Sequence, residues 1–115
     1  MRGDGRGPVA GLVLAAGSSR RMGRNKLLLD VDGEPMLRRA VRRALAADLR
    51  PVVVVVGHDA AAVRKKLTGL DCRSVTNPHY RRGMNRSLWA GLAALPADTA
   101  AVVVLLGDKI GRAHV

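Results

Sequence analysis

Five consecutive valines, Val52–Val56, place the tightest limit on how this chain can fold. Each is β-branched, which crowds a helix and suits a strand. A strand with one wet face alternates apolar and polar residues. An unbroken apolar run predicts a strand covered on both faces, as in the parallel sheets of α/β proteins. Val9–Ala16 and Ala101–Leu106 have the same character. A shorter strand is predicted over Cys72–Thr76, stopped by Asn77-Pro78.

Helical spacing fills the gaps. Pro35 suits the first position of a helix that runs to about Asp48, with Glu34 near its positive end. Met36, Leu37, Ala40, Val41, Ala44 and Leu45 make its apolar side. Arg38, Arg39, Arg42 and Arg43 fall opposite and are expected to form an ordinary solvated face. Asp59 is expected to cap a short helix through Leu67, with Gly69 after its end. A third helix, from Met84 or Asn85 to about Leu95, carries a stripe of Leu88, Leu92 and Leu95, with Trp89 beside it as a packing residue. The order is βαβαβαβ. The fold class expected is therefore α/β: a Rossmann-like three-layer α/β/α arrangement around a mainly parallel sheet, with right-handed crossovers.

At 115 residues the chain holds one domain at most. Residues 1–8 read as a loose, glycine-rich tail. With aromatics at 2% and no Phe, the core must be built from Val, Leu and Ala. The net charge of +11 raises nucleic acid, an anionic membrane surface or a polyanionic small ligand as partners. The arginines on the outer side of the first helix and the lack of interleaved aromatics argue against the first two. Neither nucleic acid nor membrane is the partner expected. Cys72 is alone, so no internal disulfide forms, and no Cys/His cluster has metal-ligand spacing. His58 and His79 read as solvated loop residues. The expected compartment is a reducing cytoplasm. The start, Met1-Arg2 before Val9–Ala16, imitates a secretory signal, but Asp4 interrupts it and a second basic cluster follows.

The segment after the first strand, Gly17-Ser-Ser-Arg-Arg-Met-Gly-Arg-Asn-Lys26, is small, flexible and cationic. Such a loop brings backbone N–H groups and positive side chains to a phosphate chain. It lacks the Gly-Lys-Ser/Thr ending of a Walker A loop and the Gly-x-Gly-x-x-Gly of a dinucleotide site. Gly17 and Gly23 permit close backbone approach, Ser18 and Ser19 offer hydroxyls, and Arg21 and Lys26 supply charge. A basic surface loop fits the same composition. Asp108, after the fourth strand, suits either a helix cap or a Mg²⁺ ligand. Asn77 and Ser87 suit either turn and first-turn roles or a binding wall. The three most polar stretches, Gly17–Lys26, Asn77–Ser87 and Gly107-Asp108, all follow strand ends, where ligands gather in parallel sheets.

Leu14-Ala-Ala-Gly-Ser-Ser-Arg-Arg-Met-Gly-Arg-Asn-Lys26 closely resembles the signature of the molybdenum-cofactor nucleotidyltransferase family. Asn77-Pro-His-Tyr-Arg-Arg-Gly-Met-Asn-Arg-Ser-Leu-Trp-Ala-Gly-Leu92 and Leu105-Leu-Gly-Asp108 resemble its later motifs, in the same order. The resemblance covers about residues 9–108 and implies the nucleotide-binding part of a fold of the nucleotide-diphospho-sugar transferase type. It also implies transfer of a nucleoside monophosphate from an NTP to a terminal phosphate, with Mg²⁺ as cofactor and pyrophosphate as product. Arg21 and Lys26 become the catalytic cations. Ala15, Ala16, Gly17, Ser18, Ser19 and Gly23 become the triphosphate loop, Asn77, Gly83 and Ser87 the nucleoside side, and Asp108 the metal ligand. Ala-Ala-Gly and Gly-Met-x-x-Ser-Leu are closest to the branch that transfers CMP from CTP to molybdopterin, with a molybdoenzyme or its chaperone as a further expected partner. The guanylyltransferase branch more often has Asp where this chain has Asn25, and it stays as the alternative beside other sugar-phosphate nucleotidyltransferases. The ending Lys109-Ile-Gly-Arg-Ala-His-Val115 fits nothing in the family. It matches the in-frame translation of a common sequencing adapter, so residues 109–115 are expected to be a non-native tail on a truncated domain.

Overall fold

A computed structural model of the chain describes residues 8–15, 20–21, 24–25, 30–31, 33–57, 60–77, 84–106 and 113–114. Its elements are β1 (Val9–Ala15), β2 (Arg20–Arg21), β3 (Arg24–Asn25), β4 (Asp30–Val31), β5 (Glu34–Pro35), α1 (Met36–Ala46), β6 (Val52–Val56), α2 (Ala60–Lys65), β7 (Arg73–Thr76), α3 (Met84–Ala93), β8 (Ala101–Leu106) and β9 (Ala113–His114). The main sheet has the order β7-β6-β1-β8-β9. The β1–β6, β1–β8 and β6–β7 pairs are all parallel, as the apolar runs predict. β9 joins antiparallel to β8 through Val104↔His114 and Leu105↔Ala113, and it lies within the stretch expected to be non-native.

Strand alternation sends β1 and β6 side chains to two cores. Val13, Ala15, Val52, Val54 and Val56 pack with Leu37, Val41 and Ala44 of α1 and with Val63 of α2. Leu12, Leu14, Val53 and Val55 pack on the other face with Leu88 and Leu92 of α3. This is the three-layer arrangement expected. All five valines of β6 are at most 1% exposed. Each contributes roughly 1.5–3 kcal/mol as an upper figure for full burial. A charge placed at Val54 would find no partner there and would disrupt the sheet.

Three local expectations are corrected. Pro35 is the residue before the helix and not its first turn: its φ of −56° and ψ of 139° are extended, and it pairs with Asp30 in the β4–β5 hairpin. The turn of that hairpin holds Gly33 at φ 83°, a conformation that suits glycine. Secondly, the arginines of α1 are not simply a solvated face. Arg42 donates from Nε and Nη2 to the two carboxylate oxygens of Glu34 at 2.6 and 2.7 Å. Arg38 Nη1 donates to the carbonyls of Lys66 and Thr68 at 3.0 and 2.8 Å, capping the end of α2. Thirdly, Trp89 does not pack. Ser87, Leu88, Gly91 and Leu92 recur at helical spacing on the sheet side of α3, which turns Trp89 outward at 70% exposure.

α3 comes unusually close to the sheet at Gly91. A Cβ there would collide with Leu12 Cδ1 and stand 2.8 Å from Val55 Cγ2. The glycine is what lets this helix lie directly on β1 and β6.

Candidate functional site

The register brings the strand ends into line. Ala15 of β1 is level with Val56 of β6, Val56 with Thr76 of β7, and Leu14 with Leu106 of β8. All four strands are parallel, so the segments that begin at positions 16, 57, 77 and 107 leave the sheet from one rim. This is where the sequence places its three polar stretches.

Ala15 is 1% exposed and its methyl group packs in the α1-side core, so what it offers a ligand is backbone. The segment beyond it folds back on itself: β2 and β3 pair antiparallel through Arg20↔Asn25 and Arg21↔Arg24. The backbone of Arg21 therefore stands in a short hairpin beyond β1. Ala16, Gly17, Ser18, Ser19, Gly23 and Lys26 lie outside the described residues, as do Gly83 and Asp108.

Asn77 and Ser87 are brought together. The Asn77 backbone N–H donates to Val56 O at 2.7 Å, the last hydrogen bond of the β7–β6 ladder. Its side-chain Nδ2 donates to Ser87 Oγ at 3.0 Å, and the two residues are 3% and 4% exposed. They are the buried polar residues among those described. A buried amide and hydroxyl satisfy each other here, where either alone would carry a desolvation cost. Accepting from Asn77 leaves the Ser87 hydroxyl hydrogen available to donate. The bond also ties the carboxyl end of β7 to the first turn of α3.

Sequence reasoning placed no role on Arg64. From α2 its Nε donates to Ser74 Oγ at 3.1 Å, and its Nη2 donates to Thr76 Oγ1, the residue just before Asn77. The signal available was two hydroxyl residues at i and i+2 on β7 following a basic helix end.

Among the described residues no group of three His, Cys, Asp or Glu converges as a metal site. A cavity of about 290 Å³ lined by Pro8, Arg50, Pro51, Val52, Asp71, Cys72 and Arg73 opens at the opposite, amino-terminal rim. Partial burial, with Asp71 adding to it, pushes the Cys72 thiol above its ordinary range, so it stays neutral there. The Arg50 guanidinium lies 3.6 and 3.7 Å from the Asp48 and Asp71 carboxylates. That cavity is remote from the strand ends and shares no residue with the rim.

Residues 11–112 match the family described as MobA-like NTP transferase domain. The chain belongs to this family. Its relatives include the "Bifunctional protein GlmU" of Anaeromyxobacter sp. (strain K), 49% identical over 108 residues, and the "Bifunctional IPC transferase and DIPP synthase" of Rubrobacter xylanophilus, 43% identical over 101 residues. The matched regions are 90% and 83% of this chain but only 22% and 23% of those proteins. Among solved structures, a nucleotidyl transferase from Methanothermobacter is 30% identical with a TM-score of 0.81. Rv0371c from Mycobacterium tuberculosis is 29% identical with a TM-score of 0.79, and a further structure of that protein is a complex with manganese. The match takes in 90% of this chain and 52% of the Methanothermobacter chain. It thus spans about half of these solved relatives and about a fifth of the curated ones. The mainly parallel sheet with helices on both faces is the fold they share.

Proposed function

We propose that this chain is the nucleotide-binding part of a nucleotidyltransferase that moves CMP from CTP to the terminal phosphate of molybdopterin and releases pyrophosphate. The observation that carries the reading is the shared rim: the glycine-, serine- and arginine-rich segment leaves β1 at the edge where the buried Asn77–Ser87 pair closes off β7 and where β8 ends.

In this reading Ala15, Ala16, Gly17, Ser18, Ser19 and Gly23 offer backbone N–H groups and hydroxyls to the triphosphate. Arg21 and Lys26 neutralise it and the charge that gathers on the leaving pyrophosphate. Asn77, Gly83 and Ser87 line the nucleoside side. An acceptor phosphate oxygen attacks the α-phosphorus of the NTP, the bond from that phosphorus to the bridging oxygen breaks, and pyrophosphate leaves with the electron pair. No protein nucleophile is needed, and the chain contributes alignment and charge. A divalent cation, Mg²⁺, belongs to the proposal with Asp108 as its ligand. It is supported by the manganese complex of the mycobacterial relative and by the family signature. When bound, such an ion neutralises phosphate oxygens.

A different phosphorylated acceptor is the second reading, favoured by the names of the 43% and 49% identical relatives, an IPC transferase and a GlmU protein. Calorimetric titration with CTP, GTP, ATP and UTP, with and without Mg²⁺, tests the nucleotide. CTP is expected to bind tightest, with Mg²⁺, and binding is expected to be lost in Lys26→Ala and Asp108→Ala. Equal affinity for all four nucleotides would end the cytidylyl reading. Polynucleotide binding that collapses with salt, without NTP binding, would replace it by a basic nucleic-acid module.

A further inference from the structure

β7 is the outer strand of the main sheet, four residues long and paired with β6 alone among the described residues. Its last ladder position is Thr76, level with Val56, and the chain then passes through Asn77. Ends of edge strands are where local opening begins. Here the end is held by side chains from both faces of the sheet. Ser74 and Thr76 share one face by strand alternation, the face on which α2 packs. There the Arg64 guanidinium bridges both hydroxyls. Val75 and Asn77 share the other face, where Val75 packs in the α3-side core and Asn77 meets Ser87.

We propose that Arg64 is a positioning residue for the nucleoside wall. Its planar fork fixes Thr76, and through Thr76 it fixes the direction in which the next residue, Asn77, leaves the sheet toward Ser87. Two donors in a rigid plane set an orientation as well as a distance, which a lysine ammonium does not. The inference rests on the reading that Asn77 and Ser87 line the nucleoside.

Two measurements on the same variants separate the inference from that reading. Hydrogen exchange in the nucleotide-free protein follows the Asn77 amide, bonded to Val56 O. Arg64→Ala is expected to speed its exchange about five-fold, the size of one net hydrogen bond, while the amides of central strand β1 are unchanged. CTP titration of the same variant, with Mg²⁺, is expected to show affinity weakened by a similar factor, with Arg64→Lys recovering less than half of it. Unchanged exchange at Asn77 would overturn the positioning role whatever the nucleotide result. Faster exchange at Asn77 with parental CTP affinity would overturn the link to the nucleoside wall. If the parent protein binds no NTP, the functional reading fails, and the exchange result still decides whether Arg64 holds Asn77. If Arg64→Ala speeds exchange throughout β1, Thr76→Val removes one arm of the fork from a residue that remains a good strand former. It must then reproduce the local effect, and failure to do so counts against the proposal.

Discussion

Gly91→Ala is the most informative single change in this fold. Carbon atoms in contact sit about 3.5–4.0 Å apart, so a Cβ that stands 2.8 Å from Val55 Cγ2, and nearer still to Leu12 Cδ1, must retreat by about 1 Å. Leu12 and Val55 are fully buried on central strands and have nowhere to go. The helix has to move instead. Overpacking of this kind costs about 1–3 kcal/mol, against which the better helix propensity of alanine returns up to about 1 kcal/mol. The net expectation is a loss of about 1–2 kcal/mol. Urea unfolding should show it as a lower midpoint at unchanged slope. Ser87 lies one turn before Gly91 on the same side of α3, so the same retreat stretches the 3.0 Å bond to Asn77 beyond good geometry. The cause can be isolated with Leu12→Ala, which by itself costs about 2–5 kcal/mol but removes the obstructing methyl groups. In that background the penalty of Gly91→Ala should shrink, leaving only the approach to Val55 Cγ2 at 2.8 Å. An equal penalty in both backgrounds, or an alanine variant as stable as the parent with Leu12 intact, would refute the close-approach argument.

Further outcomes can be stated from the same structure. Ser87→Ala removes the hydroxyl that the buried Asn77 Nδ2 donates to and should cost about 1–3 kcal/mol, and adding Asn77→Ala should cost much less than the sum, measured as a double-mutant cycle by urea unfolding. The hydrogen bonds and charge of Arg42 hold the Glu34 carboxyl below its ordinary range. The stability this pair supplies is therefore present above the ordinary glutamate pKa and lost as the pH falls through the lowered one. Glu34→Gln should flatten that limb of an acid-unfolding curve, and an unchanged curve would show the pair to be inert. The single tryptophan, Trp89, should emit at the long wavelength of a solvated indole and be fully quenched by iodide; a blue-shifted, protected emission would contradict the outward turn of α3.

The parallel sheet was legible because burial on both faces writes itself as an unbroken apolar run, and Val52–Val56 form a strand with the boundaries read from sequence. Helix α1 was legible for the matching reason, an apolar stripe at helical spacing. Its start was read one residue early because Pro35 satisfies either a first turn or an extended approach, and the choice was made by the β4–β5 hairpin. Trp89 was misread because it stands beside the leucine stripe in sequence, next to Leu88, whereas the side it faces is set by the rotation of α3 about Gly91. Asn77 and Ser87 were each singled out, with turn and first-turn roles left open. Their bond across ten positions depends on how the chain returns from β7 to α3, which no local pattern encodes. Arg64 was passed over for the same reason: its partners belong to another element.

The strand order has a consequence for how the chain is made. β1 stands at the middle of the parallel strands, yet its second neighbour, β8, follows it about ninety residues later. Until β8 emerges, one edge of β1 lacks that neighbour, and Leu12 and Leu14 wait beside an incomplete core. Closure of the sheet therefore joins distant parts of the chain, which makes it a slow, aggregation-exposed step of folding.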